Sequence, residues 1–307
     1  MSSVVETLRN DIPSSPEVPP AVSEQDPTAD WPVTIIERKP GWRIVDFPEL
    51  WRYRELLFFL AWRDVKVRYK QTVLGAAWAI LQPLANMIVF TVFLGRMAEI
   101  KVSVPYALYV FAGMLAWTYF SNAITSAGAS VVGNQNLVTK VYFPRLIVPM
   151  SAVGAGVVDF LIGFGMLLIM QGWYFSQGEP VLPGWNILLV PIIFLAMTVA
   201  ALGVGTLLAA LTVAFRDFRY VVPFTIQIWM FATPTIYLDA DKMFGPVALS
   251  ILPLNPAYGL IYNFRNAMLG QPLDWAGLGI SMTVSVALLV IGCLYFRRVE
   301  RSFADII

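Results

Sequence analysis

Apolar residues run almost unbroken through six stretches of the chain, approximately 73–97, 104–127, 146–171, 185–213, 220–238 and 275–296, and short polar segments separate them. Each stretch is long and apolar enough to supply the roughly 20 residues of helix that a bilayer core requires. The fifth is the shortest, with Pro223 and Pro234 near its ends. A seventh apolar stretch, 243–264, is broken by Gly245-Pro246, Pro253, Asn255-Pro256 and Gly259. Neither half of it can span. It predicts one or two short re-entrant helices dipping in from one side, a geometry tolerated only against protein or a water-filled cavity.

Ahead of the first span a different periodicity takes over. Phe58, Trp62, Val65 and Tyr69 form an apolar stripe at helical spacing, and Arg63, Lys66 and Lys70 form a polar one. With Arg68, these place four cations within eight residues, just before the chain turns apolar at Val73. The pattern predicts an amphipathic interface helix, from Pro48 to about Lys70, that lies on a charged membrane surface and leads into the first span. Asp46 is placed to cap it, and Pro48 and Glu49 suit its first turn. Residues 31–47 read as a short extended or hairpin element turning at Pro40-Gly41. Residues 1–30 carry five prolines, scattered acids and no apolar run of signal-peptide length. They are expected to form a disordered cytoplasmic tail, leaving the first span to direct insertion.

Charge then orients the spans. With the N-terminus inside and six crossings made, 17 of the 21 Lys and Arg residues fall on the inner side, leaving Arg96, Lys101, Lys242 and Arg265 outside. Every inner connection is basic, the asymmetry expected when both termini are cytoplasmic. The expected fold is all-α and polytopic. It has a tail over 1–35, a cytosolic element and interface helix over 36–71, a six-span domain over 72–297 and a cytoplasmic tail over 298–307. Composition agrees: 58% of residues are hydrophobic and 13% charged, where soluble domains carry about 25% charged residues.

Several chemistries are excluded. The chain has no histidine, which removes Ser-His-Asp and His-relay catalysis and the usual zinc hydrolase sets, and no metal site is expected. The single cysteine, Cys293, forms no intrachain disulfide. No glycine is followed by lysine, so there is no GxxxxGK[ST] phosphate loop; ATP hydrolysis would require a separate polypeptide. No carboxylate pair marks a membrane face, which argues against a lipid-linked glycosyltransferase. Asp159 is the one acid in the middle of a span and is expected to face water or a partner. With no second mid-span acid to continue a proton relay, a structural hydrogen-bonding role is expected of it.

The inner connections carry candidate contact chemistry. In the loop 133–149, Asn134 and Asn136 offer caps, Leu137 to Tyr142 can form about two turns of helix, and Pro144 stops it. Its mixed patch of Val138, Lys140, Val141, Tyr142, Phe143 and Arg145 reads as a surface that takes up force from a cytosolic partner. In the next inner loop, Arg216, Asp217 and Arg219 suit either local ion pairs or a contact role. Trp78, Phe90, Phe93, Trp229 and Phe231 lie deeper than the outer aromatic belt. They either pack or offer ring faces to sugars.

Five segments together resemble one family: ELWRYRELLFFLAWRDVKVRYKQTVLGAAWAILQP (49–83), NLVTKVYFPR (136–145), FRDFRYVVPFTIQIWMFATPTIY (215–237), LNPAYGLIYNFRNAMLG (254–270) and ERSFADII (300–307). They are similar, in order, to the permeases of type 2 ABC exporters for polysaccharides, including those for O-antigen, capsule and teichoic acid. Related lipid and drug permeases generally lack the 49–83 signature. The resemblance covers the chain from about residue 40 onward.

The resemblance implies a homodimer of six-span subunits in the bacterial inner membrane, joined to two copies of a separate ABC ATPase that binds ATP and Mg. No cofactor is then bound by this chain, no covalent reaction is performed by it, and no nucleic acid is involved. The substrate implied is a lipid-linked polysaccharide of O-antigen type, with teichoic acid or capsule polymers, or a lipid or drug, as alternatives. By resemblance, Asn136, Leu137, Lys140, Tyr142, Phe143 and Arg145 belong to the ATPase-coupling helix. Trp62, Arg63, Lys66, Arg68 and Lys70 belong to the interface helix against membrane lipid. The stretch 243–269 corresponds to outer re-entrant helices. A channel between subunits, built chiefly from the first and fifth spans, makes Trp78, Phe90, Phe93, Gln227, Trp229 and Phe231 lining candidates.

Overall fold

A computed structural model of the protein describes residues 47–70, 77–96, 104–179, 181–234, 245 and 250–300. The expected tail at 1–35, residues 301–307 of the expected tail at 298–307, the element at 36–46 and the parts of predicted segments at 71–76, 97, 235–244 and 246–249 lie outside the described residues.

Every regular element among the described residues is helical. Helices α1 (Phe47–Arg52) and α2 (Arg54–Lys70) meet at Tyr53 and correspond to the expected interface helix. Helix α3 (Ala77–Phe90) continues into a π-helical segment, Thr91–Arg96. Then follow α4 (Tyr106–Gly133), the short α5 (Gln135–Lys140) and α6 (Ile147–Ser176). A 3-10 turn at Trp185–Leu189 opens α7 (Val190–Ala214), and α8 spans Phe218–Phe231. A second 3-10 turn, Leu252–Leu254, precedes α9 (Pro256–Met268), and α10 (Trp275–Glu300) follows.

Four of these segments are long and apolar enough to cross a membrane: α4, α6, α7 with its 3-10 turn, and α10. The predicted first and fifth spans are shorter among the described residues. α3 and α8 have 14 residues each, roughly 21 Å at 1.5 Å per residue. Each carries an internal proline, Pro83 and Pro223, which removes a backbone donor. The predicted re-entrant stretch contains α9, whose 13 residues are too few to span.

Helix α4 is the axis of the bundle. Eighteen of its 28 residues are buried, and α6 and α7 pack along it while α7 also packs along α10. Yet α4 is the least apolar of the four long helices. Lipid demands apolar side chains from the helices that face it, whereas a helix enclosed by protein can keep polar ones that find partners. Small residues allow the closest crossing. A Cβ on Gly203 of α7 would lie 2.5 Å from the backbone nitrogen of Leu289 in α10, and one on Gly292 would meet the Gly203 carbonyl oxygen.

One end of the bundle collects Lys140, Arg145, Arg216, Arg219, Arg297 and Arg298 at the ends of α5 to α8 and α10. A cluster of Leu60, Val131, Val138, Phe143, Ile147, Val213 and Phe296 fills the interior of that end. The opposite end is stitched by amides. Gln171 donates to the carbonyls of Val181 (2.5 Å) and Met268 (2.7 Å), and Asn263 accepts from the Asp274 backbone at 2.9 Å. Gly270 makes the turn there at φ +67, where a side chain would also strike the Leu182 carbonyl.

Replacing Gly203 by Ala is expected to lower thermal stability in detergent by about 1–3 kcal/mol, because backbone rather than a side chain must move. Gly165→Ala, where nothing lies within 4 Å of the new Cβ, should show no loss. Equal melting temperatures for both variants would contradict the crossing.

Candidate functional site

At the basic end, α5 is held at both ends. Asn134 sits between α4 and α5, and its amide donates to the Ser130 carbonyl at 2.9 Å. Its side-chain oxygen accepts from the Arg63 guanidinium of α2 at 2.7 Å, and the same Arg63 nitrogen lies 2.7 Å from Asp64. On the far side of α5, Arg145 donates to the Glu300 carbonyl at the end of α10. Between these anchors Val138 and Phe143 are buried in the inner cluster and Leu137 packs against it. Asn136, Lys140, Val141 and Tyr142 are exposed. The six expected coupling residues therefore divide: Leu137, Phe143 and Arg145 anchor, while Asn136, Lys140 and Tyr142 present themselves. The helix ends at Lys140, so Tyr142 and Phe143 lie in the extended stretch beyond it. In the neighbouring inner loop, no ion pair joins Arg216, Asp217 and Arg219 among the described residues.

The expected apolar stripe of α2 divides: Val65 and Tyr69 turn toward the bundle, Phe58 and Trp62 away from it. Leu57, Leu60, Ala61, Asp64, Val65, Arg68 and Tyr69 are buried or half-buried. Phe58, Phe59, Trp62 and Val67 point away from the protein with Lys66 and Lys70. On that outer side the Phe58 and Trp62 rings stack at 6.5 Å, and Lys66 lies 5.8 Å over Trp62. Rings and ammonium groups on one face suit the headgroup level of a bilayer.

The inner face is polar because it meets Asp159. Arg68 forms an ion pair with this carboxylate, and the Tyr69 hydroxyl donates to its other oxygen. Asp159 lies twelve residues into α6, roughly 18 Å from its start. The C-terminal turn of α2 thus runs up beside α6 instead of lying clear of the bundle.

The channel-lining candidates also divide. Trp78 on α3, Phe93 in the π-helical segment and Gln227 and Phe231 on α8 are exposed, whereas Phe90 and Trp229 are half-buried against the core. The Trp229 indole donates to Asn255 at 2.9 Å, and its ring meets Phe120 edge-on at 5.3 Å. Asn255 also caps α9 through Ala257 and donates to Thr233. Of α8, Val222 alone is fully buried, so this helix touches the bundle along a single stripe.

Two groups have no sequence signal that announces them. Arg265, counted as an outer charge, is 2% exposed, with its guanidinium 3.9 Å from the Tyr109 ring centre and 5.1 Å from that of Tyr262. Asn134 reads as a cap but serves as a bridge to Arg63, a contact between residues 71 positions apart.

A profile described as ABC-2 type transporter matches residues 55–269. The chain is 29% identical over 259 residues to a Myxococcus xanthus protein named O-antigen export system permease protein RfbA, covering 84% of this chain and 97% of that one. Two Klebsiella pneumoniae proteins of the same name are 25% and 26% identical over 254 residues, covering 82% of this chain and 95% of each.

Breaking the α2–α6 contact should leave a charge without its partner. Asp159→Ala and Arg68→Ala are each expected to lower thermal stability in detergent. Combined, they should be less than additive, with a coupling of about 0.5–3 kcal/mol. Strict additivity in that double-mutant cycle would refute the pairing.

Proposed function

Because this chain belongs to the ABC-2 type transporter family, we propose that it is the channel-forming permease subunit of an exporter that passes lipid-linked polysaccharide of O-antigen type outward across the bacterial inner membrane. The names of relatives that match 82–84% of the chain support the substrate class. Energy comes from ATP hydrolysed by two copies of a separate ABC ATPase docked on the basic end. The permease acts as a homodimer with both termini cytoplasmic. Six crossings are made when α3 and α8 complete the first and fifth spans, and α9 is a re-entrant element on the outer side.

The observation that carries this reading is the double anchoring of α5. A six-residue helix presents Asn136 and Lys140, with Tyr142 just beyond its end, while Arg63–Asn134 and Arg145–Glu300 tie its flanks to α2 and α10. A push on such a helix reaches two other elements without first bending the loop. The uncovered faces of α3 and α8 are the surfaces that a second subunit would cover. Trp78, Phe93, Gln227 and Phe231 would then stand at that seam.

Purified from its native membrane, the tagged chain is expected to bring down a soluble ATPase. Lys140→Ala with Tyr142→Ala should weaken that association about tenfold, roughly 1.4 kcal/mol, and abolish export while leaving the permease folded. A chain that purifies without any nucleotide-binding partner, or a double variant with undiminished association, would reject the assignment.

A further inference from the structure

A chamber of about 390 Å³ lies between the end of α2 and helices α3, α4 and α6, a size within the roughly 300–1,000 Å³ of small-ligand sites. Trp78, Tyr119 and Phe160 border it, and of these three Trp78 is exposed. So do Thr118, Asn122 and Ser126, which recur every four residues and form one polar stripe on α4, with Gln82 contributed by α3. The amides of Gln82 and Asn122 and the hydroxyls of Thr118 and Ser126 make no side-chain hydrogen bond among the described residues. Their stripe occupies the middle of a helix long and apolar enough to cross the membrane. Facing hydrocarbon, each unpartnered amide would cost several kcal/mol. The chamber is therefore a place for water or a polar ligand, not for lipid tails.

The lining also says which polar ligand. Among the described residues its charged groups are one arginine and one aspartate, already paired with each other. An anionic headgroup or phosphate would find no net positive charge there. What remains is a set of amides and hydroxyls that both donate and accept, beside the exposed Trp78 ring. That combination matches a neutral ring with hydroxyls around its edge and C–H groups on its faces. We propose that this chamber is a binding subsite for one sugar unit of the exported polymer, reached from the uncovered side of α3 where Trp78 and Gln82 are exposed. The inference rests on the exporter reading and adds a site inside each subunit.

The test uses the full-length chain in lipid nanodiscs, with Cys293→Ala and a single reporter, Ser126→Cys or Thr118→Cys. Both replacements are close in size to the residue removed. The probes are a membrane-impermeant thiol reagent, the lipid-linked polysaccharide purified from the source cell, and the free glycan released from it by mild acid. The thiol is expected to react from water. Polysaccharide at about ten times its Kd should slow the reaction about tenfold, the free glycan should protect as well, and Asn122→Ala with Gln82→Ala should remove most of the protection. A thiol that reacts only after denaturation would overturn the proposal. So would unprotected labelling in nanodiscs that still retain the polysaccharide, which leaves the exporter reading standing. Protection untouched by the double Ala replacement would overturn it equally. If wild-type nanodiscs retain no polysaccharide at all, the exporter reading fails and this subsite with it.

Discussion

A carboxylate in the middle of a membrane span needs a partner or water where it stands, because hydrocarbon does not solvate a charge. Asp159 is neutralised by Arg68 and Tyr69, neighbours at the end of a helix about ninety residues earlier in the chain. Much of the arrangement follows from that contact. It draws the C-terminal turn of α2 up beside α6, and α3 starts seven residues after Lys70. The first-span helix therefore begins next to the mid-membrane portion of α4 and α6. The space left between them is the polar chamber lined by Gln82, Asn122 and Ser126.

The same helix serves the basic end through its other residues. Leu60 and Val65 bury apolar surface, and Arg63 reaches Asn134 at the start of α5. One rigid element is thus attached at one point to the short helix and at another to the membrane interior. A displacement of α5 by a partner would act directly on α2, and through the Arg68–Asp159 contact on the flank of the chamber. On the proposed reading, docking at α5 would be linked to the chamber by side-chain contacts along a single helix, with no need for a long chain of intermediates.

Within the bilayer, packing relies on shape. α7 and α10 approach until a Cβ at Gly203 or Gly292 would collide with backbone, which gains dispersion contact where no hydrophobic difference separates helix from lipid. α3 and α8 lack such close crossings and keep aromatic and aliphatic side chains exposed. Among the described residues they are helices that leave much of their apolar surface uncovered.

Hydropathy and charge in the sequence alone determine that the chain is a helical membrane protein, which end of it is basic, and where α2, α4, α6, α7 and α10 run. These depend on runs of apolar residues and on local spacing, both of which are one-dimensional. The exposure of Lys140 and Tyr142 was legible for the same reason: both stand in a short loop with few places to hide. Tertiary structure decided what the pattern leaves degenerate. On α2, Phe58 and Trp62 share one stripe with Val65 and Tyr69, but the rings point away from the bundle, while the polar Asp64, Arg68 and Tyr69 turn inward, the last two onto a half-buried acid of another helix. Arg265 counts as an outer charge in any linear tally and is buried against Tyr109. The chamber, too, needs three helices to bring Gln82, Asn122 and Asp159 together. Partners distant in sequence are chosen by geometry, and no local pattern encodes that choice.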